Sequence, residues 1–160
     1  MSKQVPHSAT LHVRDTCLCL HAQRAARALA RRFDNAFRPL GLTNGQFSLM
    51  MALNRPEPPT LGQVAQVLAM DRTTLTAALK PLERRGLVMS RKDTEDARAR
   101  RLSLSDDGAA LLARAWPIWQ EEHAAISWDL ADADRLRADL LALAHLSPDP
   151  ATRGTEGAGA

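Results

Sequence analysis

Apolar residues recur at helical spacing in six stretches of this chain and alternate singly in one. The pattern is densest between Thr60 and Gly86. Leu61, Val64, Ala65 and Leu68 share one helical face, and Leu75, Leu79 and Leu82 share another. Thr60 with Gln63 three residues on is a capping box, in which each side chain satisfies an amide the helix start leaves unpaired. Asp71 is an N-cap for the next helix, accepting from the amides of Thr73 or Thr74. Ala69-Met70 is left as the connection and Gly86 as the C-cap, while Pro81 inside the second helix is expected to bend it. Leu87 to Lys92 and the alternating run Arg101-Leu102-Ser103-Leu104-Ser105 then predict a two-stranded hairpin with Leu102 and Leu104 inward. Helix, tight turn, helix and hairpin make a winged helix-turn-helix, a shape that reads duplex DNA.

The buried leucines decide what faces outward. Arg72, Thr73, Thr76, Ala77 and Lys80 lie on the other side of the second helix, with Thr74 beside them. Hydroxyls and cations on a face without large apolar groups suit phosphate oxygens and base edges in a major groove. A plain solvated helix face is the competing explanation. The hairpin tip carries Arg98 and Arg100 among Asp93, Glu95 and Asp96. Arginines there suit a narrow, electronegative minor groove. Asp96 can also pair with Arg98 or Arg100 and fix the loop.

At these residues the sequence resembles a known family. Asp96-x-Arg98, five residues, then Leu104-Ser105-x-x-Gly108 is similar to the D-x-R-x5-L-T-x-x-G signature of the MarR family of bacterial transcription regulators, with Ser105 in place of threonine. Asp71-Arg72-Thr73-Thr74-Leu75-Thr76 and Leu82-Glu83-Arg84-Arg85-Gly86-Leu87-Val88 resemble that family's recognition helix and its exit. The resemblance runs from about Asp15 to Leu146. It implies a mainly α fold with a small β-hairpin wing, a winged helix-turn-helix lobe plus a helical dimerisation arm, and a homodimer on double-stranded DNA.

The flanking patterns fit such an arm. Residues 1–10 are expected to be a loose, flexible arm. One helix is expected from about Val13–Asp15 to Arg38, with Val13, Cys17, His21, Ala25 and Leu29 in a strip continued by Phe33 and Phe37. Thr43 with Gln46 caps a helix whose Phe47, Met50, Met51 and Leu53 face the core. After the hairpin, Ser105 or Asp106 caps a long helix to about Trp128, striped by Leu111, Leu112, Ala115, Trp116, Trp119, His123 and Ile126 and kinked at Pro117. Asp132 or Asp134 opens a last helix whose Leu136, Leu140, Leu141, Leu143 and Leu146 exceed what a free helix end can expose. A two-fold dimer buries such a patch twice. The expected organisation is therefore a helical dimerisation region at 11–40 and 106–146, a DNA-binding lobe at 41–105 and a disordered tail at 147–160.

Charge sharpens this picture. The net charge is +3, yet Arg72 to Arg101 holds nine basic and four acidic residues, and Leu102 onward holds four basic and ten acidic. Cationic charge thus gathers where DNA contacts are expected. No apolar run is long enough to span a membrane, no export signal is evident, and Cys17 and Cys19 form no disulfide framework, so the expected location is the cytoplasm. Glycine-rich phosphate loops and nucleophile–base–orienter sets are absent, which speaks against an enzyme. A helical Cys17-x-Cys19-x-His21 run cannot converge three ligands on a metal. No cofactor is called for.

Two kinds of signal fit a regulator of this sort, which is expected to be a repressor on a near-palindromic operator. One is thiol oxidation. In the resembled family's organic-hydroperoxide branch a reactive cysteine sits near the start of the first helix, and Cys19 falls there counting back from Thr43, with Cys17 close by. That branch surrounds its thiol with tyrosines, whereas this chain has none and carries Phe33 and Asn44 at two such places. On one continuous helix the two thiols would point about 200° apart. The other signal is a small aromatic effector lined by His21, Phe47, Met50 and Trp116. Ordinary packing also explains all six residues. Two alternatives to a specific regulator are a non-specific DNA-coating protein and a winged-helix protein-docking module.

Overall fold

The computed structural model describes residues 5–94, 96 and 99–145. Arg98, Leu146 and the tail 147–160 lie outside the described residues, as does the start of the expected N-terminal arm. The chain divides into two compact units with their boundary between Glu122 and His123. The first unit runs through α1 (His7–Thr16), α2 (Leu18–Phe37), α3 (Asn44–Leu53), α4 (Leu61–Val67), α5 (Arg72–Arg84), β1 (Val88–Lys92), β2 (Arg100–Leu104) and most of α6 (Asp106–Trp128). The second holds the end of α6 and α7 (Ala133–Ala144). The fold is mainly helical with one antiparallel hairpin, as the pattern predicts.

The start of the chain departs from expectation. Helix begins at His7, inside the stretch expected to be a loose arm, and breaks at Cys17. Cys17 is extended, with ψ 106°, and serves as the N-cap of α2. Thus Val13 and Leu29 do not share one uninterrupted helical strip. The remaining helix starts follow the caps read from sequence. Both capping boxes, Thr43 with Gln46 and Thr60 with Gln63, form their two reciprocal bonds. Asp132 caps α7 through the Arg135 amide at 2.8 Å. Pro81 and Pro117 lie within continuous helices.

Phe37, Leu49, Met50, Val64, Leu75, Leu82 and Leu102 are the largest fully buried side chains. An aromatic ladder crosses this core: Phe33 stacks on Phe37, Phe37 on Phe47 with centroids 4.7 Å apart, Phe47 on Trp119, and Trp119 on Trp116. It ties α2, α3 and α6 together, so the C-terminal half of α2 shares the core of the helix-turn-helix. In the second unit Leu136, Leu140, Leu141 and Leu143 remain exposed on α7. Among the described residues no helix is long and apolar enough to cross a membrane.

Candidate nucleic-acid interface

The candidate recognition helix, α5, is set by local chemistry at both ends. Asp71 accepts from the Thr74 amide at 2.8 Å and from the Thr74 hydroxyl at 2.5 Å, which starts α5. These bonds, the Thr74 hydroxyl first, hold the Asp71 carboxyl below its ordinary pKa. At the far end Gly86 takes φ 68°, a left-handed conformation that favours glycine. The Leu87 amide then reaches back to Leu82 at 3.0 Å and the Gly86 amide to Glu83 at 2.9 Å, the bonds of a Schellman stop. Ala69, in the turn before α5, also has positive φ, at 50°.

Between these ends Leu75, Leu79 and Leu82 are buried. Arg72, Thr73, Thr74, Thr76, Ala77 and Lys80 are all exposed. Two hydroxyl protons on this face are already committed. Thr74 donates to Asp71, and Thr76 donates to the Arg72 carbonyl at 2.7 Å. The Thr76 oxygen therefore meets a partner as an acceptor, beside its methyl group.

The wing is joined to this helix by the signature residues. Ser105 donates from its hydroxyl to the Gly86 carbonyl at 2.6 Å and accepts from the Gly108 amide at 3.0 Å, while its own amide bonds the Leu87 carbonyl at 3.1 Å. A Cβ at Gly108 would overlap that same Leu87 carbonyl. The signature's serine and glycine thus weld the start of α6 to the exit of α5. Leu102 is fully buried, whereas Leu104 is half-buried and pairs with Val88.

Asp93 braces the described part of the wing loop, while the expected pairing of Asp96 with Arg98 lies outside the described residues. Buried Asp93 pairs with Arg101 at 2.5 Å and accepts the Asp96 amide at 3.2 Å. Arg101 also donates to the Pro58 carbonyl at 3.0 Å. The pattern along the chain could not reveal this pair, because it depends on hairpin register. That register sets Lys92 opposite Arg100 and Arg91 opposite Arg101. Like charges directly opposite on a hairpin repel; Asp93 already offsets Arg101, and between Lys92 and Arg100 a polyanion relieves the repulsion. Exposed Arg91 and Lys92 are therefore candidate contacts that reading the strand as scaffold overlooked.

Arg72 and Arg100 meet at one notch of about 420 Å³, lined also by Thr60, Leu61, Gly62, Asp96 and Ala99. The Arg72 guanidinium lies 3.3 Å from where a Cβ on Gly62 would stand. Lys80 and Arg100 border a smaller cleft of about 150 Å³ with Thr76 and Ser90. The helix and wing cations thus share contiguous openings.

The candidate sensing residues scatter. Cys17 accepts from the Leu20 amide at 3.4 Å, and exposed Cys19 accepts from Gln23 at 3.1 Å. Gln23 in turn accepts from Arg27 at 3.0 Å. Both thiols are free. Because Cys17 lies outside the helix, the 200° separation expected of one continuous helix does not hold. His21 is exposed, its ring nitrogen 2.8 Å from the Cys17 carbonyl. Phe47 and Met50 are buried in the core. Of the four expected effector contacts only Trp116 borders an open cavity of about 380 Å³, with Met51, Asn54, Ala109, Leu112 and Ala113. Among the described residues no cluster of three metal-ligating side chains occurs.

Known proteins share this fold. The MarR family model matches residues 42–99. The organic hydroperoxide resistance transcriptional regulator of Bacillus subtilis is 30% identical over 101 residues, 63% of this chain and 69% of that one. The M. tuberculosis transcriptional regulator MosR, solved in complex with DNA, is 37% identical with a TM-score of 0.74, over 79% of this chain and 92% of that one. The transcriptional repressor CouR on a 23-mer DNA duplex is 30% identical with a TM-score of 0.69, over 82% and 93% of the two chains. CouR bound to p-coumaroyl-CoA gives a TM-score of 0.75 at 25% identity, over 84% and 96%. With its helix-turn-helix, its wing and relatives of this kind over most of their length, the chain belongs to the MarR family, whose members are transcription regulators and not enzymes.

Proposed function

We propose that this chain is a sequence-specific repressor that acts in the cytoplasm as a homodimer on a near-palindromic operator. The observation that carries the reading is the outward face of α5, Arg72 to Lys80, opening onto the same notch as Arg100 of the wing. The helix enters a major groove through Arg72, Thr73, Thr74, Thr76, Ala77 and Lys80, and the wing takes the adjacent minor groove through Arg98 and Arg100. The apolar residues exposed on α1 and α7, among them Val13, Leu140 and Leu141, support pairing of two chains through 11–40 and 106–146, with 41–105 as the DNA-binding lobe. The cationic face opposes a docking module, and its threonines oppose a mere DNA coat. Selection from a random duplex library is the test. Enrichment of an inverted repeat with half-sites about 10 base pairs apart is expected. Enrichment of nothing beyond general duplex contradicts it.

Release by a small aromatic effector is favoured by the cavity beside Trp116, whose volume of about 380 Å³ suits a ring or an aromatic acyl group. It lies between α3, next to the recognition unit, and α6. A second reading, oxidation of Cys19 with Cys17, draws on the exposed Cys19 thiol and the Gln23–Arg27 hydrogen-bond chain behind it. Aromatic acids that loosen operator binding in wild type but not in Leu112→Trp favour the first. Peroxide that loosens wild type but not Cys19→Ser favours the second.

A further inference from the structure

Asp93 is the one buried charged residue among the described residues, at 8% exposure. It stands beside the wing tip, where the proposed partner is a polyanion, so its charge is poorly placed for contact with phosphates. Its bonds suggest a different use. One carboxylate oxygen takes Arg101 at 2.5 Å and the other takes the Asp96 amide at 3.2 Å. The Asp93 amide donates to the Ala99 carbonyl at 3.0 Å, and the Ala99 amide donates to Asp96 at 2.9 Å. Arg101 carries the link onward to the Pro58 carbonyl at 3.0 Å. The same edge is pinned by the Leu102 amide on Pro59 at 2.9 Å and by a bridge between Thr60 and Arg101. The ion pair thus joins the wing loop to Arg101, whose strand is held against the segment that begins α4.

The geometry points to Asp93 and Arg101 as a positioning pair for DNA binding. They set the wing, and with it Arg100, against the helix-turn-helix without themselves meeting the duplex. This rests on the DNA-binding reading above. It also has a sign that simple electrostatics does not share. A carboxylate acting only through its charge repels phosphates, so neutralising it tightens binding. A carboxylate that aims the wing loosens binding when neutralised, although the protein becomes more cationic. Asparagine at this place keeps the shape and one acceptor while ending the ion pair.

The test titrates Asp93→Asn, Arg101→Gln and the double variant against a duplex that the wild-type chain selects from a random library. Hydroxyl-radical footprints are taken on the same duplex. Asp93→Asn is expected to weaken binding about tenfold, the scale of one lost arginine contact. Its footprint loses the outer, wing-side flanks and keeps its centre, which requires a folded recognition helix. The double variant binds no more weakly than Arg101→Gln alone, as residues acting through one bond do. Asp93→Asn binding as tightly as wild type, or tighter, overturns the pair. So does a uniform fading of the whole footprint, which marks general unfolding. A wild-type chain that selects no duplex is a separate failure and overturns the DNA reading beneath the pair.

Discussion

At the scale of single residues, stability rests on a few close contacts. Gly108 has no room for a side chain, because a Cβ would overlap the Leu87 carbonyl, which is itself held by the Ser105 amide. Gly108→Ala must push α6 from the exit of α5, and a loss of about 1–3 kcal/mol or more is expected in thermal or urea melts. Asp71 makes a pH-dependent contribution. The Thr74 hydroxyl and then the Thr74 amide lower its folded pKa. A depressed carboxyl stabilises the fold above its unfolded pKa of about 3.9 and loses that effect as pH falls through the lower folded value. Asp71→Ala should therefore melt below wild type at pH 7, and the gap should narrow in melts taken at pH 3. The caps and leucines were legible in the sequence because each is a local rule. The joint between Gly108 and Leu87 was visible only as a signature glycine, since its cause lies 21 residues away along the chain.

At the scale of elements, α5 divides its duties between adjacent residues. Leu75 is fully buried and Thr76 is exposed, its hydroxyl turned back to Arg72. Leu75→Ala should cost about 2–5 kcal/mol of stability through lost burial and a residual cavity. Thr76→Ala should leave stability within about 0.5 kcal/mol and weaken operator binding. Circular dichroism melts alongside fluorescence anisotropy on a labelled duplex would read both. The wing was legible as two strands but not in its bracing. Asp96 stands in the recognisable motif, and a further brace, Asp93 with Arg101, reaches from the hairpin to the Pro58 carbonyl. Register decides that pairing, and alternation of apolar residues does not specify which loop carboxylate lies inward. The break at Cys17 was likewise hidden. The residues around it carry neither proline nor glycine, and the helical strip reads through it.

At the scale of the whole molecule, the proposed unit is a pair of chains. Leu11 and Val13 on α1 and Leu136, Leu140, Leu141 and Leu143 on α7 stand exposed, and the proposed dimer would bury such residues. Sedimentation equilibrium at micromolar concentration should give twice the chain mass. Leu140→Asp with Leu141→Asp should shift it toward one chain and weaken operator binding while sparing the fold of residues 41–105. The asymmetry of charge, already plain in the sequence, is also a property of this scale: the basic segment is the one that builds α5 and the wing. The proposed basic face grips a duplex through Arg72 and Arg100. Affinity for the selected operator, measured against salt concentration for wild type, Arg72→Ala and Arg100→Ala, tests it most directly. Each substitution is expected to weaken binding and to flatten the slope of log affinity against log salt by about 1. Folded variants that keep the wild-type affinity and slope would contradict it.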